Sequence, residues 1–133
     1  MSYLIDTQIL IWFQKSNCKL KSENYSILVD TDNIIYVSQV SLFEIAIKQK
    51  IGKLPELDLL IGDFIRIIQN DGFKILPIKN QHIDAYNTVP LVVDHRDPFD
   101  RLILATALSE NLPIIYADEN FKLYIPQIQL IEN

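Results

Sequence analysis

The sequence predicts an α/β domain in three layers: a central, mainly parallel, twisted sheet of four to five strands with helices on both faces. Three observations carry that reading. Short apolar runs alternate with longer segments of helical period, an order that places crossovers between parallel strands. Two of the runs are followed closely by an aspartate, and open parallel sheets hold their ligands at the carboxyl ends of strands. The 133 residues, 49% hydrophobic and 22% charged, suffice for one core and show no repeat, linker or low-complexity segment.

In chain order, Tyr3-Leu4-Ile5 reads as a buried strand ended by Asp6, and Ile9, Leu10, Trp12 and Phe13 follow at helical spacing. Residues 14–33 are polar with scattered apolar positions, a loop and then a surface helix. Ile34-Ile35-Tyr36-Val37 is the second strand, and Val40 to Ile51 is a helix stopped by Gly52 and Pro55. That helix is apolar nearly all round except for the stripe Ser41, Glu44, Lys48, which suggests that it lines a cleft. Leu59 to Asn70 has helical period with Leu60, Phe64, Ile67 and Ile68 inward. Gly72 breaks it, and Phe73 to Pro77 is a strand. Lys79 to Thr88 is a further helix, in which His82 reads as structural. After a loop from Val89 to Arg96, Asp97 is the expected N-cap and Pro98 the first residue of a helix whose apolar run, Leu102 to Leu108, is buried. Pro113 to Tyr116 is the next strand, followed by Asp118, and Ile128 to Ile131 is a last, edge strand.

The net charge of −5 argues against a general nucleic-acid binder, whose footprint is basic. It leaves room for a nuclease, which concentrates acids at a metal and meets phosphates with a few local bases. No apolar run approaches the roughly 18 residues of a membrane helix. The start carries no basic segment of a secretory signal, and the single cysteine, Cys18, suits a reducing compartment, so a cytoplasmic protein is expected, with no membrane partner. Two histidines and one cysteine argue against a closed structural zinc site.

Each acid has an ordinary explanation. Asp6 and Asp97 are helix caps, Asp118 is a turn residue, and Glu44 pairs with Lys48 one turn on. Asp100 fits a capping pair less well, because it shares a face with Ile103, Leu104 and Ala107. Together the five form a pattern. Carboxylates meeting at one sheet edge repel each other and raise each other's pKa values, and a hard divalent cation resolves the conflict. Oxygen-only ligands select Mg²⁺ or Mn²⁺, a centre suited to phosphodiester hydrolysis.

Four segments then resemble the PIN-domain family, in particular the VapC-like ribonuclease toxins of bacterial toxin–antitoxin modules. They are Leu4-Ile5-Asp6-Thr7, Val37 to Lys48, His95 to Ala107, and Asp118-Glu119-Asn120-Phe121, in family order and at family spacing. The resemblance implies one PIN domain over residues 1–133 with a PIN-like fold. It implies Asp6, Glu44, Asp100 and Asp118 as the catalytic acidic quartet, and Asp97 as an additional acid beside them at a Mg²⁺ or Mn²⁺ site. It further implies an RNA substrate, a cognate antitoxin protein and a homodimer. Lys48, Arg96 and Arg101 are the bases expected to hold the RNA backbone, with Lys50 and Lys53 in support; ordinary surface charge is the alternative for each. Two positions depart from the family pattern: Gln8 stands where His or Asn is usual, and Tyr116 where Thr or Ser commonly precedes the last acid. The rival reading is a degenerate PIN-like module that binds RNA or protein without cleaving. Receiver domains and haloacid-dehalogenase-type phosphatases fit worse, lacking respectively the paired acids and the second Asp two residues after Asp6.

Overall fold

The structure is a computed structural model that describes residues 1–91, 97–124 and 127–133. Five strands, β1 (Ser2–Ile5), β2 (Ile34–Ser38), β3 (Lys74–Leu76), β4 (Ile114–Tyr116) and β5 (Leu130–Glu132), form one sheet in the order β3-β2-β1-β4-β5. Every pairing is parallel, with Leu4 in register with both Tyr36 and Ile114. The chain therefore builds outward from β1 in one direction, then crosses back to build on its other side.

Side chains alternate across a strand, and the core follows that period of two. Tyr3, Ile5, Ile35, Val37 and Ile115 join one buried cluster, whereas Leu4 and Ile114 join a second. Helices α1 (Thr7–Gln14), α2 (Ser22–Val29), α3 (Gln39–Lys50) and α4 (Ile61–Asn70) contribute to the first cluster. Helix α6 (Pro98–Glu110) fills the second, with α5 (Asn80–Ala85) packed against it. Strands buried on both faces read as continuous apolar runs, which is why Tyr3-Leu4-Ile5 carries no polar alternation.

Helix ends follow their expected chemistry. Gly52 and Gly72 adopt φ of +74° and +95°, which glycine reaches without a Cβ clash. In each case two backbone bonds close the last turn: Gly52 N–H to Gln49 and Lys53 N–H to Lys48, then Gly72 N–H to Gln69 and Phe73 N–H to Ile68. Asp97 caps α6, accepting from the N–H groups of Phe99 (2.8 Å) and Asp100 (3.2 Å), with Pro98 in the first turn.

Two local expectations change. Helix α4 starts at Ile61, so Leu60 precedes its first turn and is 77% exposed, while Phe64 and Ile68 are fully buried and Ile67 is exposed. The helix expected from Lys79 to Thr88 is α5 followed by a short 3-10 helix, Tyr86–Thr88. His82 is structural: its Nδ1 accepts the N–H of Lys79 (3.1 Å), so Nε2 carries the hydrogen and donates to Glu110 (2.7 Å). That bond, against the opposing effect of burial and with help from Lys79, holds the Glu110 carboxyl below its usual pKa. The buried ring thereby ties the start of α5 to the end of α6.

Candidate functional site

Strands β1 and β4 lie side by side although most of the chain separates them, so their carboxyl ends form the point where strand order reverses. Asp6 leaves β1 here and caps α1, its Oδ1 accepting the N–H of Ile9 at 2.8 Å. Its Oδ2 accepts the N–H of Ala117 (2.8 Å) and of Asp118 (3.4 Å) as the chain leaves β4. One carboxylate thus fastens both strand exits. Asp6 is 3% exposed, and burial pushes its pKa up to about 6, against the three backbone donors that favour its charged form. The charge of Asp118 adds only the smallest push. Repulsion among acids was the expected cause of such a shift; desolvation is the chief one.

Helix α3 supplies the next acid. Glu44 is buried, and its Oε1 accepts from the Thr7 hydroxyl at 2.8 Å. Thr7 Oγ1 also lies 3.0 Å from Ser41 Oγ. Thr7 has one hydroxyl hydrogen, so it serves the carboxylate while Ser41 closes the chain onto Thr7. Glu44 Oε2 pairs with Lys48 Nζ at 2.9 Å. Burial works to lower the pKa of Lys48, but the hydrogen bond and charge of Glu44, with the charges of Asp100 and Asp97, outweigh it and raise that pKa. The lysine therefore senses acids from two helices.

Asp6, Glu44, Asp97, Asp100, Asp118 and Lys48 all line one cleft of about 750 Å³. Among the described residues, no three His, Cys, Asp or Glu side chains form a group that would hold a metal ion unaided. The donor chemistry nevertheless fits a hard cation: every candidate ligand is a carboxylate oxygen. Mg²⁺ keeps several waters and needs only one or two carboxylates plus substrate phosphates, rather than a closed protein cage.

The expected bases are distributed differently. Lys48 lines the cleft. Arg101, expected at the RNA backbone, is 3% exposed and turned into the protein. Its guanidinium donates to the carbonyls of Val89 (3.0 Å) and Pro90 (2.8 Å) and to the hydroxyls of Tyr86 (3.2 Å) and Tyr124 (3.5 Å). It also sits 4.9 Å from the Tyr86 ring centre. A helix buried nearly all round sends its one cation inward, where polar oxygens compensate it. Arg96 lies outside the described residues. Lys50 and Lys53 do not line this cleft.

Thr7 figures in the sequence only as the residue after Asp6, and its bond to Glu44 is not legible there. The stripe Ser41-Glu44 was the available signal, but nothing in the sequence named its partner across the helix interface. Sequence reasoning also missed Trp12, Lys15 and Lys19 on the cleft wall, although Trp12 stands on the α1 face that begins with Gln8 and Lys15 caps that helix. Of the two departures, Gln8 is exposed in the cleft. Tyr116 is buried and stacked on Phe121 with ring centres 5.8 Å apart.

The family model for the PIN domain matches residues 3–124. No curated protein matches the chain significantly. Among solved structures, the chain is similar to VapBC2 from Rickettsia felis bound to a DNA fragment from its promoter (TM-score 0.73, 19% identity, covering 99% of this chain and 98% of that one). It is also similar to VapBC-1 from nontypeable Haemophilus influenzae (TM-score 0.66, 24% identity, 99% and 98% covered). DNA-bound VapBC from Salmonella typhimurium is a third (TM-score 0.66, 14% identity, 99% and 98% covered). At these identities the likeness is one of fold.

Proposed function

Because this chain belongs to the PIN-domain family, we propose that it is a metal-dependent endoribonuclease and the toxin of a toxin–antitoxin pair. The observation that carries the reading is the convergence of Asp6, Glu44, Asp97, Asp100 and Asp118 on one cleft at the reversal point of a parallel sheet. The toxin assignment rests further on the resemblance in fold to VapBC complexes, and an antitoxin and a second copy of this chain are its proposed partners. A soluble, cytoplasmic setting belongs to the same proposal.

In this reading Asp6, Glu44, Asp100 and Asp118 would hold Mg²⁺ or Mn²⁺, with Asp97 beside them. When bound there, such an ion would supply Lewis acidity for activating water and offsetting phosphate charge. The protein's own part is positioning. Three backbone N–H groups fix the Asp6 carboxylate, and Thr7 fixes Glu44. Asp97 is tied to its capping role through Oδ1, which leaves its other oxygen for a ligand or water. Lys48, held by Glu44, is placed to meet the phosphate backbone. Hydrolysis forms one P–O bond to water and breaks the P–O bond to the departing ribose oxygen.

The test is cleavage of single-stranded RNA by the purified protein. Activity should require Mg²⁺ or Mn²⁺, stop with EDTA, and be largely lost in Asp100→Asn while the protein stays folded. Full activity in EDTA overturns the proposal. A second reading, a module that binds without cleaving, is favoured by Glu44 already being engaged by both Thr7 and Lys48. RNA binding with no cleavage under any divalent cation would establish it.

A further inference from the structure

The cleft has two unlike walls. Acids line part of it, Glu56 among them; the face of α1 and the loop after it line another part. Gln8, Ile11 and Trp12 are spaced i, i+3 and i+4 on one face of α1, Lys15 continues that spacing as the C-cap, and all four line the cleft. That face starts two residues beyond Asp6 and reaches Lys15 about 10 Å further along the helix axis. Lys19, in the following loop, lines the same cleft.

Three features mark this wall as a surface for a polyanion with flat groups. First, Lys15 and Lys19 are exposed and form no ion pair among the described residues, whereas Lys48 is committed to Glu44. Second, the loop holding Lys19 is built rather than loose. The Asn17 N–H donates to the Trp12 carbonyl at 2.9 Å, the Lys19 N–H to Asn17 Oδ1 at 2.9 Å, and Asn133 Nδ2 to the Lys19 carbonyl at 2.8 Å. Third, Trp12 is half-buried: it packs against the core cluster yet lines the cleft, so it offers an aromatic surface anchored from behind. Rigid aromatic surfaces beside cations are how single strands are held without base-specific hydrogen bonds.

We infer that this wall of α1 is the strand-holding subsite for single-stranded RNA, with Trp12 stacking on a base and Lys15 and Lys19 neutralising phosphates. The inference rests on the ribonuclease reading and deepens it. It also replaces Arg101, which is turned inward, as a contact to the RNA backbone.

Trp12 is the sole tryptophan of the chain, so its emission reports on the subsite directly. The probe is a short oligouridylate, titrated with Mg²⁺ into the Asp100→Asn protein, which should bind without turnover. Saturable quenching is expected. The double variant Lys15→Gln/Lys19→Gln, both on exposed positions, should bind more weakly and flatten the dependence of log affinity on log salt by about 1.4, two contacts at ~0.7 each. In the otherwise wild-type enzyme the same pair should raise KM and leave kcat nearly unchanged. Trp12→Ala should lose roughly ten- to hundredfold in affinity, with Trp12→Phe recovering most of it. Because Trp12 also packs on the core, the salt slope of the lysine pair decides between the outcomes if Trp12→Ala unfolds. RNA binding or cleavage with unquenched emission and an unchanged salt slope overturns the subsite and leaves the ribonuclease reading standing. Lysines that serve only a protein partner would give that result. A folded protein that neither binds nor cleaves RNA overturns both.

Discussion

Thr7 Oγ1 and Glu44 Oε1 meet at 2.8 Å across the interface of α1 and α3. The bond joins the first residue of the helix that follows β1 to the buried acid of a helix on another strand crossover. It fixes Glu44 from the side opposite Lys48 and leaves the carboxylate little freedom to turn. Thr7→Val keeps the shape and removes the donor, so a buried carboxylate loses a partner. Stability should fall by about 1–3 kcal/mol in urea denaturation, and RNA cleavage should fall with it. Thr7→Ser should restore both; an unchanged Thr7→Val protein would show that Glu44 needs no such donor.

Asp6 gives the metal-free protein a defined pH dependence. Its folded pKa of about 6 lies above its ordinary value of 3.8, so the neutral form is favoured by folding. That contribution is complete below about pH 4 and is lost as pH rises through about 6, a change of roughly 3 kcal/mol. Denaturation curves in EDTA between pH 4 and 7 should show the decline. Asp6→Asn should flatten it, at a lower overall stability, because its amide must point one donor at a backbone N–H.

Mg²⁺ should reverse that decline near neutrality, because an ion bound only by the folded state stabilises it by mass action, about 2.7 kcal/mol at a hundredfold excess over Kd. Asp100→Asn should gain far less. Equal Mg²⁺-induced shifts in melting temperature for the two proteins would remove Asp100 from the proposed ligand set.

Arg101→Met should cost about 3 kcal/mol, since it removes the donors that Val89 and Pro90 carbonyls and the Tyr86 and Tyr124 hydroxyls accept from it. Arg101→Lys should recover only part of this, because an ammonium cannot reproduce the planar fork. Neither should change the salt slope of RNA binding in protein that remains folded.

The parts of the molecule that were readable from sequence are those set by local chemistry. Asp97-Pro98 announces a capped helix, Gly52 and Gly72 stop helices at positive φ, and the apolar runs Tyr3 to Ile5 and Ile114 to Tyr116 mark the buried strands β1 and β4. The acids were readable as a set because Asp6 and Asp118 follow strands and Glu44 interrupts an apolar helix. What was not readable depends on contacts made between distant segments. Arg101 looks like a surface base until Tyr86, Val89, Pro90 and Tyr124 fold around it. The shift at Asp6 was expected from neighbouring charge, but it follows mainly from how deeply the strand exit is enclosed. Pattern shows which residues are acidic; it does not show how far each stands from water.

The strand order has a consequence during synthesis. Asp6 is made well before the backbone groups that hold its Oδ2, which belong to residues 111 and 112 positions later. At about 5–20 residues per second, several seconds pass between the two. Strand β2 pairs with both β1 and β3, all within residues 2–76, but the other side of β1 has no partner until β4 arrives. A stalled chain ending before residue 114 has Asp6, Glu44, Asp97 and Asp100 but neither Asp118 nor the β4 edge. Any hydrolytic capacity of this cleft therefore waits until β4 and Asp118 have been made, a delay set by the separation of Asp6 from its partners.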